Sequence, residues 1–375
     1  MFTNKSESRR NFLKNVAVGS AGMIAASSLA ACNTVNTASK AAVSNVRPVP
    51  TGEFLNKQFE TPNIMKGMPI RATFLDEVTW DIPHQNWGVF EWDRDFAAMK
   101  AMGINTVVMI RSGLAKWIAS PFECILKSED VYYPPVDLTE MFLTLADKHG
   151  LDFYFGMYDS GKYWIEGSFQ KEIDLNLALI DEVWEKYGQH HKSFQGWYLS
   201  QEVSRRTKNM AKIFAEVGKH AKAVSGNLTT LVSPYIHGVK TDQVMSGDRA
   251  LTTREHEEEW NEILTNVEGA IDILAFQDGQ VDYHELPHYL AVNKKLADAH
   301  GMRCWTNLES FDRDMPIRFL PIKWEKMLVK LEAARKAGME NAITFEFSHF
   351  MSPYSTYLQA GHLYDRYREH FADQI

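Results

Sequence analysis

The sequence predicts an α/β protein folded as a single (β/α)8 TIM barrel, on three observations. Short apolar runs recur eight times, each followed by polar residues and then a helical pattern. A glycine closes most of the helical stretches, shortly before the next run. Ionisable and amide residues stand just past the ends of the runs, where a barrel gathers its site.

The runs are Ile70 to Leu75, Ile104 to Ile110, Leu151 to Met157, Phe194 to Leu199, Leu228 to Val232, Ile271 to Phe276, Met302 to Leu308 and Ala342 to Phe347. Short apolar runs bounded by turn residues are the mark of strands buried on both faces. Leu138 to Lys148 and Trp324 to Ala337 place apolar residues at helical spacing. Gly103, Gly150, Gly226, Gly269, Gly301 and Gly338 fall at predicted helix ends, where a left-handed residue stops a helix. The stretch before the fourth run departs, with Gly188 and then a link through His190, His191 and Lys192. Strand–helix alternation implies parallel strands joined by right-handed crossovers. The alternative, a doubly wound open sheet, favours a glycine-rich phosphate loop after the first strand. That position reads Asp76-Glu77-Val78-Thr79-Trp80 and holds no such loop.

In 375 residues, 40 Lys+Arg stand against 48 Asp+Glu, a net charge of −8 that argues against a general nucleic-acid binder. Hydrophobic residues at 45% exclude a disordered chain. The cysteines Cys32, Cys124 and Cys304 are too few for a disulfide scaffold. A Cys124–Cys304 pair stays open, although Cys304 begins a buried strand and reads as a small core residue.

Ser8-Arg9-Arg10-Asn11-Phe12-Leu13-Lys14, followed by an apolar run from Val16 to Ala31, resembles a twin-arginine export signal. Leu29-Ala30-Ala31-Cys32 resembles a bacterial lipobox, which implies that Cys32 is lipidated. The expected organisation is therefore an export signal over 1–32, a polar tether over 33–63 and a barrel over 64–375. The protein is expected on the far side of a bacterial cytoplasmic membrane or on the cell surface, held by a lipid anchor.

Past the predicted strands stand Glu77, Arg111, Asp159, Gln201 with Glu202, Tyr235 with His237, Gln277 with Asp278, Glu309, and Glu346 with His349. Burying such groups without partners is costly, so they must be solvated, paired or used. Two carboxylates stand out. Phe194-Gln-Gly-Trp-Tyr-Leu-Ser-Gln-Glu202 and Cys304-Trp-Thr-Asn-Leu-Glu309 each end an apolar strand in an amide or apolar residue followed by Glu. Glycosidic bond cleavage needs one carboxylic acid to protonate the leaving oxygen and a second carboxylate to attack the anomeric carbon or activate water.

This arrangement resembles the clan of retaining (β/α)8 glycoside hydrolases, in which the acid/base Glu ends strand 4 and the nucleophile Glu ends strand 7. The clan's usual Asn before the acid/base is Gln201 here, which keeps the amide. An Arg on strand 2 often stands beside the clan's nucleophile; Arg111 matches it and would keep Glu309 ionised. Residues 194–203, Ala275-Phe-Gln-Asp-Gly279 and Trp305-Thr-Asn-Leu-Glu-Ser-Phe311 are similar to the barrel family DUF4434, whose members are treated as glycoside-hydrolase-like.

The expected function is therefore a glycoside hydrolase acting on a poly- or oligosaccharide, with Glu202 as acid/base and Glu309 as nucleophile, and without a cofactor or metal. Trp80, Trp117 and Trp164 follow the first three strands and would stack on pyranose faces, while the other mouth residues would orient hydroxyls. Two rivals are a surface glycan-binding lipoprotein without catalysis and a metal-dependent sugar isomerase or epimerase. The latter would ring an ion with Glu202, His237, Asp278 and Glu309. No His-x-x-x-His or paired-Cys signature accompanies them.

Overall fold

All eight apolar runs become strands of one closed parallel barrel in the computed structural model, which describes residues 65–79, 85–202, 210–244, 248–313 and 319–375. The strands are β1 (Ile70–Leu75), β2 (Thr106–Met109), β3 (Asp152–Gly156), β4 (Phe194–Tyr198), β5 (Thr229–Val232), β6 (Ile273–Gln277), β7 (Arg303–Glu309) and β8 (Asn341–Phe345). Each pairs in parallel with its sequence neighbours, and β1 closes the ring against β8 through Ala72↔Ile343 and Thr73↔Thr344. Between and after them run α1 (Val89–Ala101), α2 (Leu138–His149), α3 (Phe169–Val183), α4 (Met210–Val224), α5 (Thr253–Thr265), α6 (Leu286–Ala299), α7 (Trp324–Ala337) and α8 (Leu358–His370). Among the described residues no helix is long and apolar enough to cross a membrane.

The continuous apolar runs reflect two cores. Alternate strand residues such as Phe74, Val108, Tyr154, Tyr198, Leu231, Ala275, Trp305 and Ile343 fill the barrel interior. Their neighbours, including Leu75, Val107, Phe155, Trp197, Leu274 and Leu308, pack outward against the helices. With both faces buried, period-2 alternation disappears from the sequence. Strand β3 lies so close to β2 that a Cβ on Gly156 would stand 2.1 Å from the Met109 carbonyl oxygen.

Helix boundaries follow local chemistry. Asp137 caps α2 by accepting a hydrogen bond from the Glu140 N–H at 3.1 Å. Gly150 stops the same helix in the left-handed region with φ 63°. The other five glycines chosen from the sequence also have φ between 66° and 87°. The departing stretch is a π turn, Trp184–Gly188, that extends α3 and presses the Trp184 ring on Gly188. Cys304 is fully buried in the barrel wall, and neither it nor Cys124 is in a disulfide.

One buried carboxyl ties α1 to the loop after β8. Asp95 is fully buried and accepts hydrogen bonds from Ser348 Oγ, at 2.7 Å, and from Ser352 Oγ. Burial pushes its carboxyl up to about 7, against 3.8 for the free group. The folded protein therefore holds a proton that the unfolded chain releases between about pH 4 and 7. Stability from this group is full below that window and falls as pH rises through it. Asp95→Asn should raise the melting temperature at pH 8 and lose that advantage near pH 4.5, as read by thermal denaturation at both values. A pH-independent difference would contradict the assignment.

Candidate active site

The C-terminal strand ends open on a cavity of about 490 Å³ to which every barrel strand or its following loop contributes. Apolar rings and chains of Phe74, Ile110, Tyr198 and Phe345 form much of its wall. Of the residues selected from the sequence, Glu202, Glu309, Arg111, Asp159, Tyr235, Gln277 and Trp164 line it.

Glu309 is the last residue of β7, and its side chain is only 7% exposed. Arg313 grips its carboxylate with a fork: Nε donates to Oε2 at 2.8 Å and Nη2 to Oε1 at 2.5 Å. The guanidinium lies over the rings of Phe311 and Phe319, at 4.9 and 5.7 Å from their centroids. Burial works against the charge on Arg313, but Glu309 outweighs it and keeps the arginine protonated. On the other side the carboxylate lies against Gly279, where a Cβ would stand 1.9 Å from Oε1. The Glu309 N–H donates to Asp278 Oδ1 at 3.0 Å, and its carbonyl accepts from Lys330 Nζ at 3.1 Å.

Glu202 lies four residues beyond the last residue of β4, on the following loop, with its side chain 28% exposed. Its Oε1 is 3.4 Å from Arg111 Nη2 and accepts from Gln277 Nε2 at 3.5 Å. Tyr235 O–H donates to Oε2. Burial, and then the charge of Glu202, hold the Tyr235 phenol well above its ordinary pKa, so it remains a donor. Burial also opposes the charge of Arg111, which Glu202, Asp76 and Asp159 restore. Arg111 thus pairs with Glu202, not with Glu309 as the clan resemblance implied; the arginine beside Glu309 is Arg313. Asp159 accepts from Trp164 Nε1 at 2.8 Å and fixes that indole at the cavity wall.

The remaining selected residues that the structure describes do not line the cavity. Three of them stand next to a residue that lines the cavity and themselves turn away from it. Glu202 faces the cavity and Gln201 turns outward, donating to Glu172 Oε1 of α3 at 3.0 Å. Gln277 faces in, and Asp278 turns to Lys330 of α7 at 3.0 Å, holding β7 from behind. Phe345 faces in, and Glu346 turns away to cap the short helix Phe347–Phe350 and bind His349 Nδ1 at 2.6 Å. Burial disfavours the charged His349, but Glu346, Glu77 and Asp76 outweigh it and lift its pKa to about 9. Glu77 lies beside this pair, pushed up to about 7 by burial, while its neighbour Asp76 lines the cavity. His237 is buried with Nδ1 3.5 Å from Asp248. The four supposed ion ligands therefore do not converge, since His237 and Asp278 point elsewhere. Trp117 is 54% exposed on a hairpin and does not line the cavity. Trp80 and Cys32 lie outside the described residues, as do the export signal and the tether.

Arg313 and Gly279 were missed. The only sequence signal for Arg313 was a cation four residues past a carboxylate, which has no fixed geometry outside a helix. Gly279 was quoted as part of a motif but gave no sign of what its missing side chain makes room for.

Residues 70–357 match the family described as a domain of unknown function, DUF4434. A Bacteroides thetaiotaomicron crystal structure described as a "putative alpha-L-fucosidase" is 56% identical, with a TM-score of 0.78 over 82% of this chain and 94% of that one. An endo-1,4-beta-D-mannanase from Thermotoga petrophila is 11% identical, with a TM-score of 0.47 over 74% of this chain and 88% of that one. A beta-glucuronidase from an uncultured Clostridium is 13% identical, with a TM-score of 0.49 over 80% and 50%. The last two likenesses carry no functional weight. No curated protein matches the chain.

Proposed function

Since this chain belongs to the DUF4434 family, a glycosidase-like (β/α)8 barrel, we propose that it is a glycoside hydrolase in which Glu202 is the general acid/base and Glu309 the nucleophile. One observation carries this reading: two carboxylates from different strand ends line a single cavity, each held by its own arginine. Glu202 would protonate the leaving oxygen and Glu309 would attack the anomeric carbon, after which water, deprotonated by Glu202, would release the sugar with retained configuration. A carboxylate has about four acceptor positions, and the Arg313 fork takes two, so an oxygen lone pair of Glu309 remains for attack. Tyr235 and Gln277 orient Glu202, while Asp159 and Trp164 offer hydroxyl and ring contacts to the sugar.

The name of the 56% identical protein makes α-L-fucosides the first substrates to test. Purified protein should release 4-nitrophenol from an aryl α-L-fucoside or sugar from one of a panel of glycans. Failure on every glycan, with binding retained, would replace the hydrolase by a glycan-binding protein. The reading places the enzyme outside the cytoplasmic membrane, tethered through a lipid on Cys32. Cys32→Ala should move it from the membrane to the soluble fraction of fractionated cells; an unchanged distribution would refute the tether.

A further inference from the structure

A row of side chains leads from the cavity to the surface. Leu114 pairs with Asp159 in parallel and with Trp117 antiparallel, and Trp117 bridges in parallel to Tyr132. Residues directly opposite on paired strands put their side chains on the same face. Asp159, Leu114, Trp117 and Tyr132 therefore share one face, and the first two line the cavity. At about 4.8 Å between strands the row is roughly 14 Å long. Exposure rises along it: 4% at Asp159, 5% at Leu114, and 54% at both Trp117 and Tyr132. Ile165, 65% exposed, lines the cavity from the loop after β3.

The outer part is held rigidly. Ile118 N–H donates to the Tyr132 carbonyl at 2.9 Å and Tyr132 N–H to the Lys116 carbonyl at 2.7 Å. Glu129, just before Tyr132, binds Lys162 at 2.6 Å and the Tyr163 hydroxyl, fastening this segment to the loop that carries Trp164. The two exposed rings stand 5.4 Å apart at 39°. The nearby charges of Lys116 and Asp130 satisfy each other at 3.0 Å.

We infer that this ledge is a chain-binding subsite for uncharged pyranose units joined to the sugar held in the cavity. The substrate is then an oligo- or polysaccharide that leaves the mouth on the β2–β3 side. The C–H faces of successive rings pack on Trp117 and Tyr132, in continuity with the wall formed by Leu114 and Asp159. The inference rests on the glycosidase reading for the scissile bond, but ledge binding is measurable without turnover.

Affinity electrophoresis through gels containing the uncharged polymers xyloglucan, galactomannan or mixed-linkage β-glucan tests it. Wild type and Glu202→Gln should both be retarded by at least one of these. The double variant Trp117→Ala/Tyr132→Ala should bind it about tenfold more weakly, at an unchanged melting temperature. Trp117→Phe, which keeps an aromatic face, should retain most of the retardation and covers the case in which the double variant fails to fold. Equal retardation of wild type and double variant overturns the ledge, as does the absence of retardation by all three polymers. Ledge-dependent retardation without hydrolysis of any glycan upholds the ledge and removes the hydrolase reading. Hydrolysis of a polymer with equal efficiency by wild type and double variant does the reverse.

Discussion

Glu309→Gln and Glu202→Gln should each lower kcat on the best glycan by about a thousandfold or more, with KM changed little. The reason differs between them. At 309 the amide nitrogen faces a donor of the Arg313 fork, which now binds Oε1 at 2.5 Å and Oε2 at 2.8 Å. The nucleophile is lost and the fork is broken together, so thermal stability should fall as well. At 202 the amide oxygen can still accept from Tyr235, and the amide nitrogen meets the donors of Arg111 and Gln277 only at 3.4 and 3.5 Å, so the cavity should keep its shape. What disappears is the proton for the leaving oxygen and the base for the incoming water, and only the first loss is relieved by a good leaving group. Substrates with an activated leaving group, such as 2,4-dinitrophenyl glycosides, should therefore lose less kcat/KM in Glu202→Gln than natural linkages do. Steady-state kinetics on both leaving groups checks this, and turnover within tenfold of wild type in either variant would reject its assigned role.

Gly279→Ala is expected to disable the site without touching an ionisable group. An added Cβ would lie 1.9 Å from Glu309 Oε1 and 2.4 Å from its Cδ, so the carboxylate must shift. The side chain is only 7% exposed and is gripped by Arg313, which leaves it little room to rotate. A displacement near 1 Å at a reacting atom costs on the order of a hundredfold in rate. The variant should show that loss in kcat, with a folded far-ultraviolet circular dichroism spectrum. Activity within about threefold of wild type would mean that the position of Glu309 is not critical.

The barrel was legible because the strands are buried on both faces over most of their length and read as short, mostly apolar runs, and because left-handed glycines end the helices. The mouth was only half legible. The pairs Gln201/Glu202, Gln277/Asp278 and Phe345/Glu346 marked the right strand ends, but only one member of each pair faces inward. Which member faces in depends on the phase of β4, β6 and β8, and runs that are apolar on both faces do not reveal phase. The partner of Glu309 was hidden for another reason: Arg313 reaches back from a loop whose course no periodicity encodes. Trp117 was selected as a residue that stacks on sugar rings, and the structure places it outside the cavity, 54% exposed.

The account depends on one sugar lying between Glu202 and Glu309. A crystal structure of Glu202→Gln with its substrate bound measures this directly. The anomeric carbon should stand about 3–3.5 Å from a Glu309 oxygen, with the glycosidic oxygen within hydrogen-bond reach of the side chain at 202. A sugar bound with its anomeric carbon beyond the reach of both side chains would contradict the account.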